Sequence, residues 1–224
     1  MRNTQWIGVG LVVLGLMAGG CKSSDPDPSN YHQTRDAFDS VEDPPLTART
    51  RVAAGMLAES QGDLNKAAGQ YREALKLEAN NHEALFHLGD VLTKQKQYAD
   101  AITTWQQYLK ATNNSPDGYC DLAICYEQAG QIPQSESTFR AGMAAHPTDT
   151  TCRVQYGLML ARQGRFEDAT AQLAPVLKPA AISYQFGEVC RKQNKPDQAK
   201  AWYTKALQQD PEMAEPKAAL AALK

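Results

Sequence analysis

The residues best equipped for chemistry sit at His82-Glu83-Ala84-Leu85-Phe86-His87, one position away from the zinc pattern His-Glu-x-x-His. In that pattern two imidazoles four residues apart lie about 40° from each other round a helix, and they share one metal. Here the second His comes five residues on, about 140° away, so one helix face cannot offer both rings to an ion. His32 and His146 fall in linker and turn contexts. No GxSxG, P-loop or CxxC occurs, and no nucleophile–base or acid–base set can be assembled. The expectation is a non-enzyme, with no catalytic residue, metal, cofactor or small-molecule substrate. Net charge is −2, from 23 basic and 25 acidic side chains, and no run is rich in Lys and Arg. That balance gives no electrostatic case for nucleic acid, whose affinity rests on phosphate neutralisation.

The elements that carry these residues repeat. Gly55, Gly89, Ala123, Gly157 and Gly187 are spaced by 34, 34, 34 and 30 residues. Ala67, Ala101, Ser135, Ala169 and Ala199 keep the same spacing, as do Tyr71, Trp105, Phe139, Leu173 and Tyr203. A fixed period in this range marks stacked repeats, and the pattern resembles the tetratricopeptide family. The resemblance implies an all-α solenoid of five helix pairs over 47–213, with repeats at 48–81, 82–115, 116–149, 150–179 and 180–213. A capping helix at 214–224 would cover the last repeat. The tiny residue at the eighth position lets helices A and B of one repeat approach. The bulky twenty-fourth is expected to fill the space between successive repeats. Gly62, Gly130 and Gly164 fall at the A–B turn, where a helix end favours positive φ. Repeat four is four residues short, and Pro175 should kink or stop its second helix. A change in superhelix pitch is expected between repeats four and five.

In this family the concave face is lined by helix A. Carried over, the groove positions are Val52, Met56, Phe86, Asp90, Cys120, Ile124, Val154, Leu158, Tyr184 and Glu188, with Arg162, Arg191 and Lys192 flanking at the C-terminal end. An apolar floor with flanking charge suits an extended or helical peptide. Val52 and Met56 stand where chaperone-adaptor members carry the Lys and Asn that grip a C-terminal carboxylate, so that mode is excluded. Cys120 and Cys152 lie at near-matching heights on adjacent A helices, which makes them the best-placed disulfide pair. The competing reading is four buried thiols behaving as small apolar side chains.

The N-terminus reads as an address. Arg2, the apolar run Trp6–Met17 and the small residues Ala18-Gly19-Gly20 form a secretory signal over 1–20. Small residues directly before Cys21 resemble the lipobox of bacterial lipoproteins, which implies lipidation of Cys21 and a membrane anchor. Residues 21–46, rich in Ser, Asp and Pro, read as a disordered acidic tether. Lys22, where inner-membrane lipoproteins carry Asp, implies an outer-membrane position facing the periplasm. The expected function is a membrane-anchored scaffold or adaptor for one or more envelope proteins or peptides, and the resemblance extends to pilotins of type IV pilus or secretion systems. The alternatives are an adaptor presenting substrates to a periplasmic protease or murein hydrolase, and a barrel-assembly accessory lipoprotein.

Overall fold

The computed structural model describes residues 46–223. The signal segment, the Cys21 lipidation site and nearly all of the tether lie outside the described residues. Within them the chain forms eleven helices and no strand: α1 (Ala48–Ser60), α2 (Leu64–Leu77), α3 (His82–Lys94), α4 (Tyr98–Ala111), α5 (Pro116–Gln128), α6 (Ile132–Ala145), α7 (Thr151–Arg162), α8 (Phe166–Leu173), α9 (Pro179–Lys192), α10 (Pro196–Gln209) and α11 (Ala214–Ala222). Helix starts are set by side chains that satisfy orphan amides. Thr47 and Thr50 form a reciprocal capping box on α1. Asp63, Asn81 and Ser115 accept from the third residue of α2, α3 and α5.

Every odd helix from α1 to α9 ends in the same way. Gly62, Lys96, Gly130, Gly164 and Asn194 all take positive φ, between 58° and 79°. The amide of the next residue then reaches back five positions: Asp63 to Ala58, Gln97 to Leu92, Gln131 to Tyr126, Arg165 to Leu160 and Lys195 to Cys190, at 2.8–3.0 Å. This is the Schellman closure, which satisfies helix carbonyls and turns the chain into the following helix. Three of the five turns use glycine. The other two place an L-residue in the left-handed region.

The helices pair α1 with α2, α3 with α4, and so on to α9 with α10. The pairing rests on a tiny residue facing a bulky one. A Cβ added at Gly55 would lie 2.4 Å from Tyr71, at Gly89 2.6 Å from Trp105, at Gly157 2.6 Å from Leu173 and at Gly187 2.4 Å from Tyr203. The bulky residue therefore covers the glycine of its own repeat, and Tyr71 and Phe139 also stack on His87 and Tyr156 of the next repeat, as the sequence led us to expect. Ser135, at the small position of α6, is buried and donates to the Ala123 carbonyl at 2.7 Å.

The junctions between repeats are of two kinds. At the first two, α3 and α5 sit on the preceding α2 and α4, while successive odd helices barely meet. At the third, α7 packs on α5 as much as on α6, and Cys120 and Cys152 form a disulfide there with Cα atoms 5.3 Å apart. At the fourth, α9 meets α7 more than α8. The short repeat explains the last of these. The helix α8 stops at Leu173 after 8 residues, where the other even helices run for 14. Pro175 lies in the turn that follows. The change in packing thus begins one junction earlier than the deletion alone implied. At the C-terminal end, Leu220 and Leu223 of the α11 region cover Cys190, Ala199 and Tyr203. Ala221 continues the 34-residue register yet is exposed, with no described helix packed over it.

Candidate functional site

The odd helices carry all thirteen residues expected to line a groove, and the structure divides the eight uncharged ones into three groups. Met56 and Phe86 are open, at 44% and 37% exposure. Phe86 is propped edge-on against Trp105, with ring centroids 5.6 Å apart, and against His87 at 5.5 Å. Ile124, Val154, Leu158 and Tyr184 are half-buried. Val52 and Cys120 are closed off, at 2% and 3% exposure, and Cys120 is spent in the disulfide. These two cannot touch a partner. Position five is open only where neighbouring helices leave it room, and α7 swings against α5 at Cys120.

The charged members other than Lys192 are held by internal partners. Asp90 pairs with Lys94 at 2.5 Å, and Lys94 reaches Glu59 of the preceding repeat at 3.8 Å. Glu59 also accepts from the Tyr71 hydroxyl and meets His87 Nδ1 at 3.1 Å, while the His87 ring stacks on Tyr71 at 5.3 Å. Burial, reinforced by the Glu59 hydrogen bond, pushes the Tyr71 hydroxyl well above its ordinary pKa. His87 is thereby engaged between α1 and α3, while His82 is exposed at the start of α3. Two repeats on, Arg162 forks onto Glu127 with bonds of 2.7 and 2.5 Å. Glu188 binds Arg191 at 2.7 Å and accepts from Tyr203, and the Arg191 hydrogen bond holds its carboxyl below the usual range. Lys192 is exposed. Ile124 and Arg162 meet across an open depression of about 390 Å³ that Glu127, Gln128 and Gln155 complete.

One group escaped the sequence reading. Asp121 of α5 is held in its protonated form up to about 6 by burial, and then by the carboxylates of Asp117 and Asp90. It gives the middle of the array an acidic character. Among the described residues the remaining thiols, Cys125 and Cys190, are buried, and burial raises both. Thiols so placed pack and do not react. What this arrangement can do is hold a chain. It offers apolar contacts at Met56 and Phe86, acidic groups in the middle and cations near the C-terminal end.

The tetratricopeptide-repeat family matches residues 52–116 and 180–213. The described residues have the fold of a tetratricopeptide-repeat solenoid. Photosystem I assembly protein Ycf3 of Synechococcus sp. is 30% identical over 98 residues, 40% of this chain and 57% of that protein. The chain therefore spans little more than half the length of this relative. Among solved structures, the tetratricopeptide-repeat protein YrrB, described as having an unusual peptide-binding site, superposes with a TM-score of 0.51 at 22% identity. That match covers 83% of this chain and 96% of YrrB. The Pseudomonas aeruginosa protein pilF superposes with a TM-score of 0.53 at 16% identity, covering 87% of this chain and 90% of pilF. At such identities the likeness is one of fold. The solenoid built from five tetratricopeptide repeats accounts for the spacing of the glycines, and it places the open aromatic and acidic residues on one set of helices.

Proposed function

We propose that this tetratricopeptide-repeat protein is a lipid-anchored scaffold that holds protein partners in a bacterial cell envelope, outside the cytoplasm and at the outer membrane. The observation that carries the binding half of this reading is the open Met56 and Phe86 side chains on the odd helices. Some leucines are as exposed, but Met56 and Phe86 stand at the helix A positions that line the concave face in this family, which is what gives their exposure a binding reading. Partner binding is also the general business of the repeat family. The envelope half rests on the Arg2–Gly20 signal and on Cys21. The disulfide between Cys120 and Cys152 supports it, because such bonds persist in oxidising compartments. Assembly of a pilus or secretion machine is the finer proposal. It draws on the fold shared with pilF and on the assembly role in the name of Ycf3, and both are analogies of architecture.

Two experiments test it. Palmitate labelling of the chain in a bacterial host should be strong and should vanish in Cys21→Ser. An unlabelled parent chain rejects the anchor. Affinity capture from crosslinked cells should recover envelope proteins with the parent chain and fewer of them with Phe86→Glu. Recovery unchanged by that charge would move the binding surface off the odd helices.

A further inference from the structure

The truncation of repeat four opens a cavity on the opposite helices. At the second junction, the last turn of α4 seals the start of the next helix. Leu109 and Tyr108 lie so close to Gly118 that a Cβ there would meet them at 2.9 and 3.3 Å. The helix α8 ends at Leu173 and has no such turn. The space it vacates remains as a pocket of about 150 Å³ between α8, α9 and α10, walled by Ala174, Leu177, Ile182, Phe186 and Trp202. A partly open pocket of that size has room for one benzene-sized group. Its polar wall is already satisfied within itself, since Ser183 donates to Gln209 at 2.7 Å. The lining has one charge, Lys205, whose ammonium sits 4.7 Å over the Trp202 ring. No acid lines the pocket, and the first turn of α9 beside it carries neither an acidic residue nor a side-chain cap, so its amides add to the positive field.

We infer that this pocket is a second docking site, which seats one bulky apolar side chain of a partner segment and pairs a neighbouring carboxylate of that segment with Lys205. Shape selects the apolar anchor and charge selects the acid beside it. The site is separate from the surface of Met56 and Phe86. It would let the array hold two segments at once, one on each side.

The test uses the full-length chain in detergent, titrated calorimetrically with a seven-residue peptide, Gly-Ser-Asp-Phe-Glu-Ser-Gly, and with a counterpart in which both acids are lysine. The acidic peptide should bind at one saturable site, at least about tenfold more tightly than the basic one, the scale on which opposed charges discriminate. Lys205→Glu, at an exposed position, should reverse that preference. Ala174→Trp, which fills the cavity from the turn, should abolish binding while helical circular dichroism is kept. Phe86→Glu should leave this titration unchanged, so the two surfaces fail or succeed separately. No saturable binding of the acidic peptide, no reversal with Lys205→Glu, or unchanged affinity in a folded Ala174→Trp chain would overturn the inference.

Discussion

Reducing the Cys120–Cys152 bond, or replacing both residues with alanine, should loosen the array at its third junction. The bond closes a loop with a sequence separation of 32. The chain-entropy relation assigns such a loop about 12 cal/mol/K, or about 3.7 kcal/mol at 25 °C. Alanine is the right replacement because both side chains are buried, and a serine hydroxyl there would have to find a partner. For an array of this size 1 kcal/mol moves the midpoint by roughly 2–4 °C, so the melting temperature should fall by about 7–15 °C. Helical circular dichroism against temperature, with and without dithiothreitol, measures it. The double-alanine chain should melt at the lower temperature in both buffers. A thiol count in denaturant fixes the pairing. In a Cys21→Ser chain Cys125 and Cys190 should react before reduction, with Cys120 and Cys152 joining them afterwards. Four reactive thiols before reduction, or a midpoint that dithiothreitol leaves in place, would refute both the bond and the argument that it holds α5 to α7.

Lys96→Gly should stabilise the chain. Lys96 holds positive φ at the α3 turn, and relief of that strain, about 1–2 kcal/mol, outweighs the entropy that glycine adds to the unfolded chain by about 0.5–1 kcal/mol. Urea titration should show a higher midpoint, with Asn194→Gly giving a smaller gain because asparagine tolerates this region better. Gly89→Ala should cost about 1–3 kcal/mol by driving a methyl into the Trp105 ring, read as a lower midpoint and altered near-ultraviolet dichroism. Asp121→Asn tests the acidic middle of the array. The native carboxyl holds its proton up to about 6, well above the unfolded value, so its contribution to stability is fully present in acid and lost as pH rises through about 6. The asparagine variant should be more stable by about 1–2 kcal/mol at pH 7.5 and no more stable at pH 4, by urea titration at the two values.

The fold was legible because its constraints fall on residue size. A glycine under Tyr71, Trp105, Leu173 or Tyr203 is a steric requirement, and steric requirements leave a period in the letters. The fifth of these pairs uses Ala123 opposite Phe139 and kept the register visible. The turns were half legible. Gly62, Gly130 and Gly164 announce positive φ and Asn194 hints at it, whereas Lys96 holds the same conformation with no mark in its type, and only its distance from the glycines could have located it. The candidate groove was read one helix at a time, and this is where it went astray. Whether position five is open depends on how the helices of its own and of the neighbouring repeat pack round it, which no single helix records. Phe86 is open while Val52 and Cys120 are buried. Asp121 was missed because its carboxylate neighbours, Asp90 and Asp117, come partly from another repeat.

The ion pairs carry a rhythm of their own. Glu59 meets Lys94, and 68 residues later Glu127 meets Arg162 in the same relation, while the intervening junction joins Thr93 to Cys125 at 3.7 Å. The helices repeat every 34 residues, but the charges repeat every two helix pairs. Growth of such an array by duplication is then governed by parity. Copying two adjacent repeats keeps each acid opposite its base. Copying repeat one or three by itself would set Glu59 or Glu127 against Ser60 or Gln128 in place of a base, so for those acid-bearing repeats the pairing favours even steps.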